Sequence, residues 1–360
     1  MDLKHKANVS TKVRGYDLEC GMANAECGLS RGFDASPALH SAFRTPNSAF
    51  LFGCGVDVFL GLKIDVCTFD GLRVGVPALL SLLDRHGVRA TFFVALGPDT
   101  TGRAILRLLR PGFLAKMRRT RAVATYGIRT ILSGTLLPSR HAGRRLAPLL
   151  RQVIVAGHEL AVHGYDHRRW QDCVPRMDAG AVRGEIGRAV SVYQEVAGRP
   201  PRGFGAPGWQ VSVASLRVLD EMGFTYASDT RGTQPFFPRV AGRAVRTLQL
   251  PTTCPTLDEA LGMNGLDGDG YIALVCRELR GKVRGVLTLH AEMEGRGFQA
   301  VTDRLLTTLR AEGARCLPLE VLAEHVRAEG EDRVPVVEVV HRPIRGRAGT
   351  VAMPAGFEVD

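Results

Sequence analysis

Residues 61–96 read GLKIDVCTFDGLRVGVPALLSLLDRHGVRATFFVAL. LKIDV is a short apolar run bounded by glycine, the pattern of a buried strand. GVPALLSLLDRHG then puts Val76, Leu79, Leu80 and Leu83 on one face of a helix, with Gly87 as its stop. ATFFVAL (90–96) is a second strand. The alternation continues outward from this unit. ELAVH (159–163) is a third strand. DAGAVRGEIGRAVSVYQEVAG (178–198) is a helix with Asp178 at its N-cap, and Ser212 caps another over VASLRVLDEMG. FTYAS (224–228), LQLP (248–251) and GVLTLH (285–290) read as strands. A helix near 299–312 leads to ARCLP and a last helix from 318 to about 329. Such alternation predicts a parallel sheet with helices outside it, and about seven strands suit a (β/α) barrel or an open relative of one.

This domain spans residues 56–330. Residues 1–55 mix small, polar and charged side chains without a sustained period and read as a disordered extension. Residues 331–360, punctuated by Pro and Gly, read as a C-terminal appendage. At 45% hydrophobic and 23% charged, the composition excludes a wholly disordered chain. No apolar run reaches the roughly 18 residues of a membrane span, and MDLKHKANVS lacks the apolar core of a secretory signal. The eight cysteines fall at irregular spacings without a C-x-x-C and read as reduced thiols.

The net charge of +11 is concentrated in one place. Between Thr100 and His158 there are twelve basic residues and no Asp or Glu, which leaves 35 basic against 36 acidic groups elsewhere. The anionic partner is therefore to be sought at this segment.

In parallel α/β folds, reacting groups gather at the C-terminal ends of strands. Three strand ends here carry titratable groups: Asp65-Val66-Cys67, His163-Gly164-Tyr165-Asp166-His167, and His290-Ala291-Glu292. Residues two apart on a strand point the same way, so Asp65 and Cys67 address one site. If the chain turns helical after His163, that imidazole and His167 share a face and can bind one metal. His290 then approaches from another strand. His158, in GHE, reads as a structural histidine.

The string GLKIDVCTFDG, GVRATFFVALGPD, GHELAVHGYDHRRWQ, GWQ, SDTRG, LPT and TLHAEMEG resembles the polysaccharide deacetylase superfamily. Within it the pattern is most similar to the deformylases of 4-deoxy-4-formamido-L-arabinose carried on undecaprenyl phosphate. The likeness runs from about Gly61 to about Leu322 through these ordered motifs. It implies a distorted or incomplete (β/α)7 barrel and metal-dependent removal of an N-acyl group. It also implies Asp65 as catalytic base, His290 as general acid, and His163 and His167 as metal ligands. A divalent ion would lower the pKa of bound water and polarise the amide carbonyl. Trp209, Arg231 and Glu292 are candidate substrate contacts. Trp209 serves equally well as a core residue, and Arg231 as a partner that orients a carboxylate.

One departure from the family pattern bears on the chemistry. Cys67 stands where the pattern has the Asp that is the third metal ligand. Either the thiolate ligates, which favours zinc over harder ions, or the metal site is weakened and Asp70 reaches the ion instead. Without the thiolate, zinc, cobalt or manganese is expected. The runner-up readings are a deacetylase of another amino sugar and a metal-deficient homologue that binds the lipid carrier.

The basic segment interleaves apolar and cationic residues over 102–138, as an interfacial helix does. The bland reading is an amphipathic helix packed on the barrel. Nucleic acid is disfavoured, because the segment has few aromatics and no recognised binding module. The expected partners are thus a lipid-linked sugar and an anionic membrane surface. The resemblance implies a peripheral enzyme on the cytoplasmic face of the inner membrane, in lipid A modification and resistance to polymyxin.

Overall fold

Strand β1, Phe59–Val66, organises the molecule. Its alternation splits two cores: Leu60, Leu62, Ile64 and Val66 are buried in the layer under the helices, while Lys63 and Asp65 lie on the opposite, inward face. Burying one such aliphatic side chain contributes roughly 1.5–3 kcal/mol, which sets both register and face. The structure, a computed structural model, describes residues 58–102, 133, 135 and 138–357. The expectations for 1–55 and for most of the basic insertion lie outside the described residues.

β1 pairs in parallel with β2 (Thr91–Val94), β9 (Arg284–His290) and β10 (Arg315–Leu317). From β2 the sheet continues in parallel through β3 (Glu159–Val162), β4 (Gly203–Phe204) and β5 (Tyr226–Ala227) to β8 (Leu248–Gln249). Just past β8, the Thr253 amide donates to the Val286 carbonyl at 2.9 Å and the Val286 amide to Thr253 Oγ1 at 3.0 Å. The sheet thereby curls round towards β9, giving the distorted (β/α)7 barrel that the resemblance implies and the kind of parallel barrel that the alternation predicts. Phe93, Ala161, Tyr226, Leu248, Leu250 and Val286 fill its interior. Glu159 closes the N-terminal end, accepting from the Tyr226 hydroxyl at 2.6 Å and from the Glu320 amide at 3.0 Å.

The helices sit where the local signals put them. Val76–Arg85 follows a wider turn at Gly71–Gly75 and ends before Gly87. Asp178 caps Ala179–Ala197 by accepting from the Ala181 amide at 2.7 Å, and Ser212 opens Val213–Glu221 with a capping box. The later helices are Gly268–Leu279, Gln299–Ala311 and Leu319–Ala328. His158 is structural: it accepts from the Ala90 amide at 3.2 Å and packs edge-on against Phe92. A small second sheet joins β6 (Phe237–Val240), β7 (Arg243–Ala244) and β11 (Val336–Val337). The expected appendage is in part an antiparallel hairpin of β12 (Val339–Pro343) and β13 (Thr350–Pro354). Among the described residues no helix is long and apolar enough to cross a membrane.

Candidate active site

The three strand ends singled out by sequence converge. Asp65 and His290 are register partners on the neighbouring parallel strands β1 and β9, and β2 carries the sheet on to β3, which delivers His163. Asp65 is buried. Its Oδ2 lies 3.5 Å from Lys63 Nζ and 4.0 Å from His163 Nε2, and its Oδ1 is buried without a hydrogen-bond partner. Lys63 is 0% exposed. Its ammonium donates to the Ser228 carbonyl at 2.9 Å and sits 5.2 Å from the Phe93 ring and 5.3 Å from that of Trp209. Burial pulls its pKa down, and the Asp65 carboxylate works against that shift.

Cys67 starts the loop that leaves β1, and a single carboxylate holds that loop. Glu292 Oε1 accepts from the Cys67 amide at 2.9 Å, the Thr68 amide at 2.8 Å and Thr68 Oγ1 at 2.9 Å. The approach requires glycine at 71, where a Cβ would overlap the Glu292 carboxylate. Glu292 is thus turned to the backbone beside Cys67, whereas the sequence put it among the substrate contacts. Asp70 pairs with Arg73 at 3.2 Å and Arg140 at 3.3 Å, and stands apart from the Cys-His-His group.

His163 and His167 come together by a different route from the one expected. They do not lie on one helical face. His163 follows the last residue of β3, Gly164 turns the chain at φ +75°, and His167 is the first residue of the helix His167–Cys173. The reason is Asp166, whose side chain accepts from the Arg169 amide at 2.9 Å and so starts the helix only there. The two imidazole centroids are 5.0 Å apart. His163 Nδ1 donates to the Gly205 carbonyl at 2.7 Å, which leaves the Nε2 lone pair directed at Cys67 Sγ, 3.8 Å away. Burial drops the His163 pKa to about 4, so the ring is neutral near pH 7. The same burial pushes the Cys67 thiol up.

His290 is 17% exposed at its side chain and lies on the other flank. Its Nδ1 is 3.7 Å from Asp258 Oδ1, and its backbone amide donates to Glu294 Oε2 at 2.9 Å. Burial raises the Glu294 carboxyl to about 7. Trp209 stands edge-on to His290 with centroids 6.4 Å apart, and its Nε1 donates to Thr252 Oγ1 at 3.1 Å. Trp209 is 2% exposed, so most of the ring is packed. Arg231 does orient a carboxylate: it donates to Glu259 at 2.7 and 2.9 Å.

A probable 4-deoxy-4-formamido-L-arabinose-phosphoundecaprenol deformylase (ArnD) from Shewanella sediminis is 35% identical over 298 residues, covering 83% of this chain and 95% of that protein. This chain belongs to that deformylase family. A second such deformylase, from Wigglesworthia glossinidia brevipalpis, is 28% identical over 78% of this chain and 97% of its own length. The polysaccharide deacetylase family profile matches residues 63–227, placing the deformylase family within that superfamily and the chain among hydrolases of C–N amide bonds. The structure of a putative polysaccharide deacetylase from Mycobacterium smegmatis shares the fold, with a TM-score of 0.55 at 23% identity over 83% of this chain and 99% of that one.

The deformylase site suits a metal ion by its donor set. Among the described residues, ligand atoms of Cys67, His163 and His167 all lie within 4.8 Å of one another. Tetrahedral bonds of about 2.0–2.3 Å put donor atoms roughly 3.5 Å apart, close to the 3.8 Å between Sγ and Nε2. The tautomer fixed by Gly205 and the buried, unpartnered Asp65 Oδ1 point the same way. Sequence reasoning missed Lys63, Asp258 and Asp229. Lys63 was open to the period-two argument that linked Asp65 to Cys67. Asp229 accepts from the Ala206 amide at 2.7 Å and so fixes the loop that holds His163. Asp229 lies within SDTRG, a motif read only for Arg231, and Asp258 lies in the short helix Leu257–Ala260, whose spacing carries no signal.

Proposed function

We propose that the chain is a metal-dependent deformylase that acts on 4-deoxy-4-formamido-L-arabinose linked to undecaprenyl phosphate. The observation that carries this reading is the meeting of a carboxylate, a Cys-His-His group and a third histidine at one end of the barrel. The length-spanning kinship to named deformylases supplies the substrate class. Cys67, His163 and His167 would hold a divalent ion, with zinc favoured by the thiolate. Bound there, the ion supplies Lewis acidity at the formyl oxygen and acidifies water.

The protein's own groups do the rest. Asp65 Oδ1 takes a proton from the attacking water, while Lys63, 3.5 Å away, pairs with Oδ2. An oxygen–carbon bond forms at the formyl carbon. The C–N bond then breaks as His290 passes a proton to the departing nitrogen, giving formate and a free amino sugar. Asp258, whose Oδ1 lies 3.7 Å from His290 Nδ1, faces and orients the ring. Glu292 fixes the loop that presents Cys67, and Trp209 walls the pocket beside His290, backed by Arg231.

The carrier places this chemistry at a membrane. The basic stretch 102–138 is suited to an anionic leaflet, with each Lys or Arg near it contributing roughly 1 kcal/mol. The enzyme would thus be peripheral on the cytoplasmic face of the inner membrane, and the new amine would lower the negative charge of lipid A and its attraction for polymyxin. Release of formate but not acetate from the lipid-linked substrates, lost on Asp65→Asn, tests the reading; acetate release from the acetamido sugar alone would replace it with the deacetylase alternative. Cys67 also favours a second reading, a carrier-binding homologue without metal, which predicts no bound ion in a well-folded protein.

A further inference from the structure

The C-terminal hairpin reaches the catalytic end of the barrel. Val351 and Met353 of β13 form one buried cluster with Trp209, flanked by Val340 and Ile344. The Arg231 amide donates to the Ala352 carbonyl at 2.8 Å, and Gln210 Nε2 to the Thr350 carbonyl at 2.6 Å. At the tip, the Arg347 guanidinium lies 4.6 Å from the Trp209 ring centroid, on a ring that Arg231 also meets at 5.0 Å. Arg347 Nη1 donates to Glu259 Oε1 at 3.4 Å. Gly346, at φ +82°, sits so close to the Glu259 carbonyl that a Cβ would overlap it. The tip is therefore built against the turn Thr256–Ala260 rather than resting on it.

That turn carries the partner of His290. Glu259 Oε2 accepts from the Thr256 amide at 3.0 Å, Thr256 Oγ1 donates to Asp258 Oδ1 at 2.6 Å, and the same Asp258 oxygen lies 3.7 Å from His290 Nδ1. A continuous set of contacts thus runs from the hairpin tip to the proton donor. We propose that the hairpin is a working part of the active site, and that Arg347 is a positioning residue which, through Glu259 and the Trp209 face, holds Asp258 against His290. The proposal rests on the deformylase reading for its kinetic consequence but not for its structural one. Arg347 acts at the departing-nitrogen step, so its loss is felt in kcat and not in substrate affinity or metal content.

The test uses the full chain with Arg347→Gln, Arg347→Lys and Gly346→Ala. Each is read for formate release from the undecaprenyl-phosphate-linked formamido sugar, for bound metal, and by 19F resonances after 5-fluorotryptophan labelling. The chain has two tryptophans, and Trp209→Phe assigns the signals. Arg347→Gln and Gly346→Ala should lower kcat about tenfold or more at similar KM, shift the Trp209 resonance, and leave the Trp170 resonance and metal content as in the parent. Arg347→Lys should recover part of kcat. A parental kcat with an unmoved Trp209 signal in Arg347→Gln would overturn the proposal, as would a loss confined to KM, which marks a substrate contact instead. If the parent itself releases no formate, the deformylase reading falls, and the Trp209 shift alone decides whether the tip is coupled to the site.

Discussion

Asp65 and His290 are the residues on which the proposed chemistry turns. Replacing Asp65 by its amide, Asp65→Asn, or the His290 imidazole by an amide side chain, His290→Gln, removes a proton-transfer group and is expected to lower kcat by about 10²–10⁴-fold. Both variants should keep the parent's metal content, because neither residue belongs to the Cys-His-His group. Metal analysis beside steady-state kinetics checks the pair of claims. Lys63 makes the complementary case. It is fully buried beside Asp65, so Lys63→Met leaves a buried carboxylate without its cation. That is expected to cost about 3 kcal/mol or more in a urea titration, together with much of the activity. A folded, fully active Lys63→Met would remove Lys63 from the mechanism. At residue 67, Cys67→Asp should keep the site but move its preference from zinc towards manganese or cobalt, read by competition between the ions.

At the scale of elements, the loops between strand ends and helices set the geometry. Gly164→Ala forces a side chain into a left-handed turn and should cost about 1–2 kcal/mol while also parting His163 from His167. Stability and metal affinity should therefore fall together. His158 gives a pH signature outside the site. Burial, with Arg89 adding to it, lowers its pKa from 6.5 to about 4 in the folded chain. The unfolded chain thus takes up a proton first as pH falls, so stability is fully present above about pH 6.5 and declines below it by at most about 1.4 kcal/mol per pH unit. Urea midpoints at several pH values should show a shallower decline in His158→Gln.

These elements also show where sequence was readable. Asp178 and Ser212 named their helices because a cap is a local device. Asp65, Cys67, His163, His167 and His290 come together because a parallel sheet sends strand ends to one side. The link between His163 and His167 was misread because Asp166 starts the helix later than the spacing suggests. The cradle formed by Glu292, and the meeting of Asp258 with His290, depend on contacts across 225 and 32 positions, which no local period records.

For the whole molecule, the barrel gathers buried ionisable groups at one end: Lys63, Asp65, Asp229, Glu259, Glu292 and Glu294 are all buried. Stability alone does not favour such a cluster, whereas a site that needs a low-dielectric, preorganised setting does. The C-terminal hairpin, read from sequence as an appendage, closes over this end and brings Arg347 to it. Its strands are short, and their meaning appears only once the barrel places Trp209 beneath them.

The central claim is that Cys67, His163 and His167 hold one metal ion beside Asp65 and His290. The most direct measurement is the absorption spectrum of the cobalt-substituted protein. The account predicts one ion per chain with an intense sulfur-to-cobalt charge-transfer band that disappears in Cys67→Ser. A folded protein that takes up no ion, or one whose bound cobalt lacks that band, would contradict it.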